Sequence, residues 1–130
     1  MTQNQQSVSG GVKYTLRLEA LCVLIAGCLF YGQSHYSWKL FFLLFLVPDI
    51  SFLGYLVSAK IGAISYNLAH SYILPITLGI GFILLNDQDL LLYVVIWIAH
   101  IGFDRALGYG LKYQTGFSDT HLGKIGKLKA

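Results

Sequence analysis

The sequence predicts an all-α membrane protein. Residues 14–107 form an antiparallel four-helix transmembrane bundle, preceded by a disordered leader at 1–13 and followed by a polar cytoplasmic tail at 108–130. Three observations carry this prediction. Hydrophobic residues make up 55% of the 130 positions and charged residues only 12%, too apolar a balance for a water-soluble domain. The apolar residues gather into four runs of about 18 to 25 residues, which at about 1.5 Å per residue match a hydrocarbon core of about 30 Å. Short polar turns separate the runs, which sets successive helices antiparallel.

The leader, MTQNQQSVSGGVK, is polar and lacks the early apolar stretch of a signal peptide. The first span covers Tyr14 to Tyr31 and holds Arg17 and Glu19 in its opening turns. Glu19 either pairs with Arg17 at the interface or turns inward. Ala26 and Gly27 allow a neighbouring helix to approach closely. Gly32, Gln33, Ser34 and His35 end the span with turn chemistry. Cys22 and Cys28, six residues apart on one helix, face different directions beyond disulfide reach and read as packing residues.

The second span, Trp38 to Val57, contains Pro48-Asp49. A proline inside a helix removes a donor and clashes with the carbonyl four residues back, so a kink or break is expected, with Asp49 capping the second half. Ser58-Ala59-Lys60 is a tight turn into the third span, Ile61 to Leu85. Ala63, Asn67, His70 and Ser71 share one face of that span, and Pro75 is expected to free the Ser71 carbonyl. Asn86-Asp87-Gln88-Asp89 leads into the fourth span, Leu90 to Leu107. The tail is too polar to cross again.

The basic residues set the orientation. Lys13, Arg17, Lys60, Arg105, Lys112, Lys124, Lys127 and Lys129 fall on one side, and only Lys39 on the other, which predicts both termini in the cytoplasm. The net charge of +3 therefore reads as membrane orientation, and no basic patch with interleaved aromatics points to a nucleic-acid partner.

With that orientation, Glu19, Asp49, Asn67, His70, His100 and Asp104 occupy one layer in the cytoplasmic half of the membrane, while the outer half is nearly featureless. Ionisable groups in a bilayer are costly and face a protein interior. Imidazole and carboxylate together suit a divalent ion such as Zn²⁺, Mn²⁺ or iron, and the oxygen ligands also admit Mg²⁺. Asp49, His70, His100 and Asp104 are the expected metal ligands, with Glu19 or Asn67 as an acid/base or second-tier group. His100 and Asp104, four apart, stack on one helix face together with Trp97. If the layer is a metal site, its donor atoms should approach one another within roughly 3 to 5 Å. If it only binds helices together, separate locally satisfied pairs should appear instead. The Asp119/His121 pair in the tail either folds back as a lid or is solvated.

Several stretches in combination resemble a small bacterial membrane family, domain of unknown function 4260. They are Pro48-Asp49, Leu53-Gly54-Tyr55, Tyr66-Asn67-Leu68-Ala69-His70, Ala99-His100-Ile101-Gly102-Phe103-Asp104-Arg105, Gly108-Tyr109-Gly110-Leu111-Lys112-Tyr113, Gly116-Phe117 and Asp119-Thr120-His121-Leu122-Gly123. The resemblance implies a bacterial inner-membrane protein and covers about residues 14 to 123. More distantly, a Pro-Asp in one helix with His and Asp in others is similar to membrane-bound metal-dependent hydrolases.

Three functions compete on the sequence. One is a metal-dependent hydrolase acting on an amphiphilic or lipid-linked substrate at the cytoplasmic face. The second is a small proton-coupled carrier with Asp49 and His70 as relay. The third is a structural or assembly subunit in which the polar layer sets helix register only.

Overall fold

Short polar side chains start three of the helices in this computed structural model, which describes residues 7–125. Four helical stretches are long and apolar enough to cross a membrane: Gly10–Gly32, Trp38–Leu56, Ala59–Leu84 and Gln88–Leu107. The chain is thus a multi-pass membrane protein built as a four-span helical bundle. The first helix, α1 (Gly10–Gly32), begins four residues ahead of the expected Tyr14, so part of the expected leader is helical. The rest of the leader, residues 1–6, and the lysines at 127 and 129 lie outside the described residues.

The second span is two pieces. Ser37 accepts from the Leu40 amide and starts α2 (Trp38–Phe45). The chain then tightens into a 3₁₀ segment, Val47–Leu56, with Pro48 at its start, where the missing donor costs nothing. Ten residues of 3₁₀ is long for this conformation, which is usually confined to a few residues. Its three-residue period puts Asp49, Phe52 and Tyr55 on one face. Asp49 does not cap the segment as expected; Leu46 holds the cap position without a side-chain bond.

The third span is also divided. Ser58 accepts from the Ile61 amide and opens α3 (Ala59–His70). Ser71 is extended (φ −95°, ψ 149°), and α4 (Ile73–Leu84) restarts with Pro75 in its first turn. The expected kink is therefore a full break, placed upstream of the proline so that no acceptor is stranded within a continuous helix.

Asp87 accepts from the Leu90 amide to start α5 (Gln88–Leu107). The helix ends in a Schellman arrangement, with Gly108 left-handed at φ 99°, its amide on the Arg105 carbonyl at 3.0 Å and the Tyr109 amide on the Asp104 carbonyl at 2.8 Å.

The helix α5 is the centre of the molecule, with α1, α2 and α4 packed around it. At its crossing with α1, a Cβ on Gly102 would lie 2.8 Å from the Ala20 carbonyl oxygen and 3.0 Å from the Leu24 nitrogen. Only a bare glycine lets the backbones meet there. Higher up, Tyr31, Phe41, Ile96 and Ala99 form a buried cluster, with Cys28 packed against it. The 3₁₀ segment leans on α3, where Gly54 meets Ser65, Gly62 meets Tyr55, and Ser65 donates to the Ser51 carbonyl. Large apolar side chains such as Leu29, Leu43, Leu53 and Leu84 point outward, as a lipid-facing surface requires.

The tail folds back onto the bundle. Gly110, Lys112, Thr120 and Leu122 are buried. Two strands, β1 (Asp119–Thr120) and β2 (Gly123–Lys124), form a minimal antiparallel hairpin around His121 and Leu122. The His121 carbonyl accepts from the Val8 amide, tying the tail to the chain ahead of α1.

Candidate metal centre

Breaks in the two divided spans bring their polar residues to α5. Asp49 enters from the first turn of the 3₁₀ segment, His70 from the last turn of α3, and His100 and Asp104 from successive turns of α5. The donor atoms converge. His70 Nε2 lies 3.1 Å from His100 Nε2, 3.4 Å from Asp49 Oδ1 and 3.3 Å from Asp104 Oδ2. His100 Nε2 lies 3.2 Å from Asp49 Oδ1 and 3.3 Å from Asp104 Oδ2. All four donors fall within 4.8 Å of one another. The expected convergence is present, and the alternative of separate local pairs is not what these four side chains form.

The His70 ring is held by a hydrogen bond and by stacking, the His100 ring by packing, since its Nδ1 has no hydrogen-bond partner among the described residues. His70 Nδ1 is 2.9 Å from the Tyr66 carbonyl oxygen, which can only accept, so Nδ1 carries the proton and Nε2 offers its lone pair. The Tyr66 ring stacks flat on the His70 ring at 3.8 Å. Phe45 meets the His100 ring edge-on at 4.9 Å. The imidazole side chains are 3% and 2% exposed, whereas Asp49 is 37% and Asp104 14% exposed, so the site opens on its carboxylate side.

Backbone contacts from neighbouring polar residues brace the frame. Trp97 Nε1 donates to the Ala69 carbonyl at 2.6 Å. Arg105 donates to the His70 carbonyl at 3.1 Å, closing the gap left by the break at Ser71, and lies 4.6 Å over the Tyr72 ring. Arg17 does not pair with Glu19; its Nε donates to the Ala106 carbonyl at 2.9 Å.

The two acid/base candidates sit apart from the four donors. Asn67 is committed to the tail backbone: its amide donates to the Lys112 carbonyl at 2.8 Å and accepts from the Lys112 amide at 2.7 Å. Glu19 is on the wall of a different cavity, of about 350 Å³, shared with Tyr72, Arg105 and His121. His121 accepts from the Leu111 amide at 2.9 Å, and burial, followed by the nearby Arg105 charge, holds its pKa below the usual imidazole range.

A cavity of about 300 Å³ lies in front of the carboxylates, between the bundle and the folded tail. Asp49, Asp104, Phe52, Tyr66, Lys112 and Phe117 line it. Lys112 and the aromatic wall were not apparent as site residues from the sequence. The i, i+3 spacing of Asp49, Phe52 and Tyr55 was the available signal, but it becomes one face only in a 3₁₀ segment.

Fold and site together define a four-span membrane protein with a two-histidine, two-aspartate tetrad at its core, its histidines buried and its carboxylates partly exposed. The chain belongs to the family described as Domain of unknown function (DUF4260), whose family model matches residues 13–125. No curated protein and no solved structure matches the chain.

Proposed function

We propose that this protein is a metal-dependent hydrolase of the bacterial inner membrane, with both termini cytoplasmic and an amphiphilic or lipid-linked substrate. Asp49, His70, His100 and Asp104 hold one divalent ion. The observation that carries this reading is the near-regular spacing of the donors. A tetrahedral site with metal–ligand bonds of about 2.0 to 2.1 Å has ligand–ligand edges of about 3.3 Å. Five of the contacts here run from 3.1 to 3.4 Å.

Protons serve this cluster poorly. With both imidazoles neutral and His70 protonated on Nδ1, the only Nε2–H left is that of His100, and it satisfies one contact of the five. A cation at the centre would satisfy all four donors at once and balance the charge of the two carboxylates inside the membrane.

Zn²⁺ fits best on donor type and spacing, with Mn²⁺ and iron as close seconds. Held by these four residues, such an ion would lower the pKa of a bound water toward neutrality and polarise a substrate oxygen. Hydrolysis then adds water across an ester: the water oxygen bonds to the electrophilic centre, the ester bond breaks, and the departing alcohol oxygen takes the proton. The cavity on the carboxylate side admits the scissile group, and the imidazoles hold the far side closed. Asn67 acts at one remove, by fixing Lys112 at the cavity. Glu19 stands outside the step.

The test is turnover. Protein reconstituted with Zn²⁺ or Mn²⁺ is given a panel of chromogenic carboxylic and phosphate esters bearing dodecyl chains. At least one should be hydrolysed at a rate that chelation abolishes and His100→Ala eliminates. A rate unchanged in His100→Ala overturns the reading.

A further inference from the structure

We propose that the cavity beside the tetrad binds the phosphate group of an anionic amphiphile, with the Lys112 ammonium as its anchor. This deepens the hydrolase reading and rests on it for the reaction, while the binding step is measurable without turnover. The fold goes to some length to bury this lysine. Gly108 reverses the chain after α5, and Asn67 grips both polar groups of the Lys112 backbone. The residue is only 4% exposed. Its Nζ donates to the Phe117 carbonyl at 2.8 Å and lies 3.8 Å and 4.6 Å from the Phe117 and Tyr66 ring centroids.

A carbonyl and two π faces ease the desolvation of an ammonium but do not neutralise it. The ion pairs within 4.0 Å around the cavity join His70 and His100 to Asp49 and Asp104, and none of these includes Lys112. Burial accordingly pulls the Lys112 pKa down to about 8, against an ordinary 10.5. A buried cation that feels the Asp104 carboxylate only from beyond ion-pair distance is stabilised further by an anion that meets it directly.

The charge count gives the sign of the ligand. Two aspartates and two neutral histidines balance one divalent ion, so the ion-loaded cavity keeps the positive charge of Lys112. Tetrahedral phosphate presents oxygens in several directions, so one can meet the ammonium while another is directed at the ion that Asp49 and Asp104 would hold. A carboxylate has only two oxygens in one plane. The remaining walls, Phe52, Tyr109, Phe117 and Ile125, are apolar or aromatic and suit the first methylenes of an alkyl chain.

The experiment measures binding of dodecyl phosphate by calorimetry to zinc-loaded, full-length protein in maltoside detergent. Lys112→Met should weaken binding about tenfold or more, and Lys112→Arg should stay near wild type. Inorganic phosphate, the water-soluble source of the same chemistry, should bind much more weakly. Equal affinity in wild type and Lys112→Met overturns the anchor, and inorganic phosphate binding as tightly as dodecyl phosphate overturns the amphiphile. Should Lys112→Met not fold, reductive methylation of wild type decides. Dodecyl phosphate should protect Lys112 and leave the exposed Lys60 reactive, and modification of Lys112 at an unchanged rate counts against the proposal. Metal content of the same samples separates the two ideas. Failure to retain zinc, manganese or iron defeats the hydrolase reading, whereas metal-loaded protein with Lys112-independent binding defeats only this one.

Discussion

His70 Nε2 and His100 Nε2 approach to 3.1 Å from two different helices, and the same pair of carboxylates flanks both. Two ring nitrogens this close need either a shared proton or a shared cation. The Tyr66 carbonyl already holds the His70 proton on the other side of its ring, so a shared proton has to come from His100. A shared cation also accounts for the two aspartates, which a single proton does not.

Metal should therefore stabilise the fold. An ion that binds only the native state raises its stability by about 2.7 kcal/mol at a hundredfold excess over Kd. Thermal unfolding in detergent should move upward on adding Zn²⁺ and downward on chelation. His100→Ala should abolish both responses. A wild-type midpoint indifferent to Zn²⁺ contradicts the site.

Gly102 makes a prediction about packing alone. Its Cβ position lies 2.8 Å from the Ala20 carbonyl oxygen, so Gly102→Ala must push α1 off α5. Destabilisation of about 1–3 kcal/mol is expected, the usual range for overpacking. Gly81 in α4 has nothing within 4 Å of its Cβ position, and Gly81→Ala should be neutral or slightly stabilising. Unfolding in detergent compares the two; equal losses would remove the close α1–α5 crossing from the account.

The spans and the tetrad were legible in the sequence for a physical reason. Lipid demands long apolar runs, and charges inside them stand out, so Asp49, His70, His100 and Asp104 announce themselves. Boundaries and local geometry were less legible. Nothing in Val47–Leu56 separates 3₁₀ from α by composition, since the difference is one residue in hydrogen-bond spacing. Pro75 pointed to the disturbance at Ser71 but not to a complete break, which depends on Arg105 crossing over to hold the His70 carbonyl. The tail gave the weakest signal. Lys112 reads as one more cytoplasmic charge until Asn67, 45 residues earlier, is seen to hold its backbone.

That clamp is testable. Asn67→Ala removes both hydrogen bonds to Lys112, with an expected loss of about 1–3 kcal/mol in local stability. Hydrogen exchange should show the Lys112 amide losing protection while amides in α1 keep theirs. Unchanged protection at Lys112 would mean the tail is held by other contacts.

Lys112 also gives a pH dependence with a definite sign. Burial holds its folded pKa at about 8, against an ordinary value of 10.5. Between these values the unfolded chain binds more protons than the folded one, so stability rises with pH across that window and falls as pH drops through about 8. Lys112→Met should flatten this part of the profile. Thermal melts from pH 7 to pH 10.5 in wild type and variant check it; a wild-type curve that falls across the window contradicts the buried, unpaired ammonium.

The central claim is a single ion held by four side chains, and elemental analysis tests it most directly. Full-length protein purified in detergent after exposure to Zn²⁺, Mn²⁺ and Fe²⁺ should retain about one divalent ion per chain, the occupancy expected of a closed four-donor site. The double variant His70→Ala/His100→Ala should retain almost none. Wild type that carries no more metal than the double variant would contradict the account.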